Sequence, residues 1–176
     1  MVPPDEVRGG GGVRRGRPRL RGESTLKPPG AAPLKQSETR AGKARKRVLF
    51  VCIGNACRSQ MAEAFARAYG SDILFAQSAG LAPAARVPPL TRQVLMEKNI
   101  SADGQVPKGL GDFAGEPPFE IVVNLSGGHL PPAVAGARLI EWAVRDPIGE
   151  NEAVYRAVAA QIEDLVMRLI LELRGN

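Results

Sequence analysis

Cys52 and Arg58 are separated by five small or medium residues, Ile53-Gly54-Asn55-Ala56-Cys57, and Ser59 follows directly. A thiol and a guanidinium on one tight loop can attack and grip a tetrahedral oxyanion. The apolar run Val48-Leu49-Phe50-Val51 leads into the loop and a helical pattern starts near Ser59, so the stretch predicts a strand, a turn and a helix N-terminus. Such a turn aims successive backbone N–H groups and the positive end of the helix dipole at one point. These donors and the guanidinium favour the thiolate of Cys52, and they also serve a bound anion. Cys52 is then the nucleophile, Arg58 a bidentate clamp on two oxygens, and Ile53, Gly54, Asn55, Ala56, Cys57 and Arg58 the ring around the anion. Lysine would be a poor replacement for that clamp. Gly54 lets the backbone approach the anion closely, and Asn55 tolerates the left-handed conformation that wrapping requires.

Attack on phosphorus gives a phosphocysteine, and expulsion of an alcohol needs a proton. The candidate donor is Asp146, on a separate loop and followed by Pro147, which restricts its backbone. Taken alone, an Asp-Pro pair marks only a turn. Cys57 has two readings. It can trap an oxidised Cys52 as a disulfide within the loop, or be a buried small apolar residue in the first helical turn; the wrapping of both residues around one anion favours the first. His129, the single histidine, follows Gly127-Gly128 and reads as loop surface, and Trp142 reads as core or cleft wall.

These groups need a scaffold. Arg47–Val51 is apolar without alternation, which predicts a buried central strand of a parallel sheet. A helix over Ser59–Tyr69 would bury Met61, Ala62, Phe65 and Ala68, with Gly70 as its stop. Ile73–Ala76 predicts a second strand ended by Ser78-Ala79-Gly80, and Pro88-Pro89 opens a helix burying Leu90, Val94 and Leu95. Residues 101–118 predict loop with a short helix near Leu110. Phe119–Leu125 and Ala137–Val144 predict the third and fourth strands. Glu150–Arg174 predicts a long helix with Val154, Val158, Ile162, Leu165, Val166, Leu169, Ile170 and Leu173 inward. The alternation implies an α/β fold, a doubly wound four-stranded parallel sheet with helices on both faces and a phosphate-binding loop after the first strand. Cys52 and Asp146 would both lie at the carboxyl ends of strands, where such folds bind ligands.

The chain of 176 residues carries a formal charge of +6. Residues 1–46 hold 12 Lys/Arg against 4 Asp/Glu, a net of +8, whereas residues 47–176 hold 12 against 14, a net of −2. The basicity therefore belongs to a Gly/Pro/Arg-rich tail expected to be disordered, with one domain over 47–176. The tail could attract a polyanion, but a solvated extension is the simpler reading, and the site requires no nucleic acid. Two cysteines and one histidine do not make a zinc site, so no metal or other cofactor is expected. No segment approaches the roughly 20 apolar residues of a membrane span. With no signal region or disulfide scaffold, the chain reads as a cytoplasmic monomer.

Residues 48–80 and 120–174 resemble the low-molecular-weight protein tyrosine phosphatase family, which includes thioredoxin-coupled arsenate reductases on the same fold. The matches are the loop from Val51 to Ser59, Ala62-Glu63-Ala64, Ser78-Ala79-Gly80 and Asp146-Pro147. A lone Cys-x5-Arg is weak, but this longer string between a strand and a helix is specific. The resemblance implies Cys52 as nucleophile, Arg58 as clamp, Asp146 as general acid, Ser59 steadying the thiolate, and Asn55 held by a hydrogen bond from Ser78.

Two branches of the family then compete. Gln60-Met61 and Glu141-Trp142 look like the arsenate reductase branch, and Ile148-Gly149 replace the aromatic residues that follow the Asp-Pro pair in phosphatases. The thioredoxin-coupled reductases, however, pass a disulfide to further cysteines near the end of the third strand. Here Ser126 stands in that place, and serine cannot form the disulfide. The expectation is a cysteine-dependent phosphatase acting on a phosphorylated protein or a small aryl phosphate. The first alternative is an arsenate reductase using an external small thiol, and the second a non-catalytic oxyanion- or phosphoprotein-binding module.

Overall fold

A computed structural model of the chain describes residues 44–134 and 137–175. The expected tail lies outside the described residues except for 44–46. The element order is β1 (Lys46–Cys52), α1 (Arg58–Gly70), β2 (Leu74–Gly80), α2 (Pro89–Met96), a 3-10 turn (Leu110–Phe113), β3 (Ile121–Asn124), a 3-10 turn (Pro132–Val134), β4 (Arg138–Glu141) and α3 (Glu152–Gly175). The four strands form one parallel sheet in the order β2-β1-β3-β4. This is the four-stranded parallel α/β sheet that the alternation of elements implied.

β1 is central, and its side chains divide two cores. Val48, Phe50 and Cys52 face α1, α2 and α3, where Met61, Phe65, Leu95, Ile162 and Ile170 complete the larger core. Leu49 and Val51 face the other way with Ala79 and Val122, beneath Leu110, Phe113, Phe119 and Val134. The long helices therefore cover one face, and the two 3-10 turns with their loops cover the other. A strand buried on both sides needs this continuous apolar run. Burial of a single Phe50 or Phe65 side chain contributes about 1.5–3 kcal/mol.

Several expected boundaries move, each for a physical reason. β2 runs through Ser78-Ala79-Gly80 instead of stopping before them, because the loop after β1 packs directly on these small residues. A Cβ on Gly80 would lie 2.8 Å from both Asn55 N and Ile53 O. β4 is shorter than expected and mostly exposed, as an edge strand. In α1 every residue from Arg58 to Ala66 is buried, whereas Ala68, expected inside, is exposed. The helix starts enclosed beneath the loop and emerges toward its C-terminus. Gly70 ends α1 and also admits α3, since a Cβ there would lie 2.9 Å from Ile170 Cγ1 and Cδ1. α3 buries Val158, Ile162, Val166, Leu169 and Ile170 as expected, and adds Tyr155 and Ala159.

The register sets the site. Cys52 pairs with Gly80, Val51 with Asn124, and Asn124 with Glu141. The carboxyl ends of all four strands thus lie side by side, and the loops leaving them converge.

Candidate functional site

Residues 53–57 form the turn between β1 and α1. Its carbonyls are tied outward. Leu81 N–H donates to Cys52 O (3.0 Å), Ala82 N–H to Ile53 O (2.9 Å), Ala84 N–H to Gly54 O (2.8 Å) and Met61 N–H to Cys57 O (2.8 Å). Asn55 O accepts from Gln60 Nε2 at 3.0 Å. No acceptor among the described residues takes the N–H groups of Gly54, Asn55, Ala56 or Cys57. A ring of free N–H donors at a helix N-terminus is a nest for an anion. Asn55 has φ of 46°, the left-handed conformation its residue type tolerates. Gly54 does not have a positive φ, and a Cβ there would meet only ordinary contacts, with Ala84 Cβ at 3.7 Å. Nothing in the protein itself therefore demands glycine at that position.

Cys52 lies at the floor of this ring, 2% exposed. Its Sγ is 2.9 Å from Ser59 Oγ. Asn55 Nδ2 donates to Ser59 Oγ and to Ser78 Oγ, both at 2.8 Å. The Asn55–Ser78 contact expected from the resemblance is present with its direction reversed: Asn55 donates. Ser78 gives its own proton to the Glu63 carboxylate, because an ionised carboxylate can only accept. The buried Glu63 is compensated by Arg67 and by Lys108 Nζ at 3.4 Å.

Arg58 is 5% exposed. Its Nη1 donates to Leu125 O (2.8 Å) and Val144 O (3.3 Å), and its Nη2 to Asp146 Oδ2 (2.5 Å). Its Nε is buried with no partner among the described residues. A buried guanidinium N–H without an acceptor is costly unless a ligand supplies one. Asp146 is half-exposed, and Ile148 N–H donates to its Oδ1 at 3.2 Å across Pro147, fixing the carboxyl. The structure thus brings Cys52, Arg58, Ser59, Ser78 and Asp146 together from three strand ends, those of β1, β2 and β4.

Cys57 sits beneath the loop. Thr91 Oγ1 donates to its Sγ at 3.1 Å, and Tyr155 OH lies at 3.6 Å. Burial pushes the Cys57 thiol above its ordinary value against the opposing effect of these two hydrogen bonds, and repulsion from Asp146 and Cys52 adds to the rise. Both cysteines are free. His129 is exposed, and Trp142 is buried with its ring 5.8 Å from that of Phe50. Ser126 follows the Leu125 carbonyl that Arg58 holds, and its hydroxyl donates to Asn124 Oδ1 at 2.7 Å.

The reading from sequence named Glu63 only within the Ala62-Glu63-Ala64 match, did not single out Gln105, Lys108 or Tyr155, and used Gln60 only as a branch marker. Glu63 had a signal: one carboxylate amid Met61-Ala62 and Ala64-Phe65-Ala66 is either buried and paired or out of place. Lys108 had none, because its N–H reaches Asn55 Oδ1 at 2.7 Å from 53 residues away.

No group of three or more His, Cys, Asp or Glu side chains among the described residues could hold a metal ion. No helix among them is long and apolar enough to cross a membrane. Segments adjoining the site residues carry exposed aliphatic side chains: Ile53 in the loop, Leu81 directly after β2, Val106 and Ile148.

Residues 47–176 match the family described as low molecular weight phosphotyrosine protein phosphatase. Among curated proteins, the glutaredoxin arsenate reductase of Synechocystis sp. is 34% identical over 131 residues, covering 73% of this chain and 98% of that protein. Arsenate reductase 1 of Bacillus cereus is 30% identical over 125 residues, covering 67% and 89%. Among solved structures, an arsenate reductase in the phosphate binding state aligns with a TM-score of 0.67 and 34% identity over 73% of this chain and 98% of that one. Arsenate reductases are thus among its relatives, and the chain belongs to the low molecular weight phosphotyrosine protein phosphatase family, an enzyme family.

Proposed function

We propose that this protein is an arsenate reductase that turns over with an external thiol. The observation that carries the oxyanion chemistry is the buried Arg58 guanidinium, whose Nε has no protein acceptor among the described residues and which stands with the free N–H groups of the loop around Cys52. The comparisons weigh toward arsenate over the phosphomonoester substrate expected first from sequence, since the Synechocystis relative at 34% identity and the Bacillus cereus relative at 30% are both named arsenate reductases. The sequence after Asp146-Pro147 supports the same choice, because the exposed Ile148 and Gly149 that follow it offer no aromatic face for a phenyl ring.

In this reading the Cys52 thiolate attacks As(V), and one arsenate oxygen leaves as water after taking protons. The product is a Cys52–S–As(V) adduct held by Arg58 and the loop N–H groups. An external thiolate then attacks Cys52 Sγ. The S–As bond breaks with its electron pair going to arsenic, which departs as arsenite, and Cys52 is left in a mixed disulfide. A second external thiol attacks that disulfide, restores the Cys52 thiolate and leaves as the oxidised disulfide. The electrons come from an external thiol because Ser126 cannot serve as a second redox centre and a 52–57 disulfide would itself need an external reductant. Asp146 supplies the proton to the departing oxygen, and Ser59 donates to the sulfur.

The phosphatase reading keeps one specific support, the Asp146 carboxyl beside the clamp, since a general acid is what an alcohol leaving group needs. A side-by-side assay decides between them. Arsenate with glutathione should give one arsenite per disulfide formed, and Cys52→Ser should abolish it. Steady hydrolysis of p-nitrophenyl phosphate with no arsenite produced under any small thiol would overturn the reductase.

A further inference from the structure

Asn55 is the hub of the loop. It is fully buried, its backbone is left-handed, and its carboxamide uses every hydrogen-bonding position. Nδ2 gives its two protons to Ser59 and Ser78, and Oδ1 accepts from Lys108 N–H at 2.7 Å and Gln60 Nε2 at 3.0 Å. Gln60, also fully buried, does more than fill one of these positions. Its Nε2 is within 3.0 Å of Asn55 O and 2.9 Å of Val106 O. Its own backbone carbonyl accepts from Gln105 Nε2 at 3.0 Å. The same segment is joined to the end of β2, where Gly80 N–H donates to Lys108 O at 2.8 Å.

We infer that Gln60 is a positioning residue for oxyanion binding: with one N–H on Val106 O and the other shared between the two oxygens of Asn55, it ties Asn55 to the 105–108 segment and holds the turn in the conformation that turns its N–H groups inward. The reason is backbone energetics. A non-glycine residue in the left-handed region costs on the order of 1 kcal/mol and persists only where the surroundings over-determine it. Here the carbonyl of Asn55 would otherwise be a buried acceptor with no donor, and the easiest escape is a rotation of the 55–56 peptide that also turns the Ala56 N–H away from the anion. The Gln60 amide opposes that rotation by holding the Asn55 carbonyl. It never touches the oxyanion and acts only through Asn55. The inference rests on the loop being an oxyanion site, whichever reaction follows.

The test uses inorganic phosphate as the probe, with its affinity measured by calorimetry and by protection of Cys52 from iodoacetamide, on the full chain. Gln60→Met keeps the volume and removes the donor. It should weaken phosphate binding by roughly three- to tenfold, the size of a lost buried hydrogen bond. In a chain that already carries Asn55→Gly, glycine adopts the left-handed conformation without help. Adding Gln60→Met there should cause no further loss, giving a clear coupling in the cycle. If Gln60→Met does not fold, Gln60→Ala takes its place with the same expected values. A lower melting temperature with unchanged phosphate affinity would make Gln60 merely structural and overturn the inference. So would equal losses from Gln60→Met with and without Asn55→Gly. Failure of the unaltered protein to bind phosphate would instead overturn the oxyanion reading of the loop itself, and this inference with it.

Discussion

Arg58 Nη2 lies 2.5 Å from Asp146 Oδ2, so the clamp and the candidate proton donor hold each other. The carboxylate satisfies one edge of the guanidinium, and an arriving oxyanion must share or replace that contact. In the proposed reaction Asp146 therefore has two opposed effects: as a carboxylate its charge resists the incoming anion, and after taking up a proton it serves the departing oxygen. Asp146→Asn should lower turnover on the order of a hundredfold, a general-acid effect, while inorganic phosphate binds more tightly as a competitive inhibitor. Parallel kcat and inhibition measurements check both signs, and weaker phosphate binding would contradict the competition.

Arg58 also spans the loops after β3 and β4 through Leu125 O and Val144 O. Lysine keeps the charge but has neither the planar fork nor the reach to hold both carbonyls and an anion at once. Arg58→Lys should cost at least about a hundredfold in kcat/KM, the scale of losing a preorganised donor to the transition state. Because two carbonyls lose their donor, the variant should also melt earlier. Activity within a few-fold of the unaltered protein would remove Arg58 from its assigned role.

Two glycines separate packing from chemistry. At Gly80 an added Cβ meets backbone, Asn55 N and Ile53 O at 2.8 Å, and neither can move without deforming the loop. At Gly70 it meets side-chain carbons of Ile170 at 2.9 Å, which can give way by a rotamer change. Gly80→Ala should lose about 1–3 kcal/mol of stability and most phosphate binding. Gly70→Ala should lose less stability and keep phosphate affinity. Thermal unfolding and calorimetry on both variants make the comparison.

Much of this arrangement was legible from the chain because it depends on local pattern. The unbroken Val48–Val51 run could only be a strand buried on both faces, and Cys52, Arg58 and Ser59 carry their geometry in their spacing. Asp146 was legible as the last polar group before a rigid Pro147. What was hidden depends on chain segments far apart in sequence. The backbone N–H of Lys108 has no side-chain signature, so its bond to Asn55 could not be read. Gln60 looked like any polar residue near a helix start, although it is fully enclosed. Ser78-Ala79-Gly80 looked like a turn because small residues end strands, whereas here they are small so that the anion loop can rest on the strand. Tyr155 was passed over on a helix face read for aliphatic residues, and with Thr91 it reaches Cys57.

Cys57 gives the alkaline behaviour of the fold. Burial, as the largest cause, raises its thiol above the ordinary value of 9.0, so the folded state keeps a proton that the unfolded chain releases. The sign follows: the stabilisation from this group is whole below pH 9 and falls as pH rises from about 9 toward the folded value. Tyr155 and Tyr69 are also raised, mainly by burial, but their ordinary value is 10.0, so the first part of the decline belongs to Cys57. Urea unfolding at intervals from pH 8 to 10 should show stability dropping in the unaltered protein and a flatter profile in Cys57→Ala. That variant should start about 1–2 kcal/mol lower at pH 8, since Thr91 and Tyr155 lose their shared partner. The protonated thiol also bears on redox behaviour. With Cys57 held as a thiol below pH 9, iodoacetamide at neutral pH should label Cys52 first, and mild peroxide should oxidise Cys52 first. Cys57 then closes the disulfide on the oxidised sulfur, so peptide mapping should find the 52–57 link. A Cys52 sulfinate beside a free Cys57 would show that Thr91 and Tyr155 hold the thiol too firmly for it to protect its neighbour.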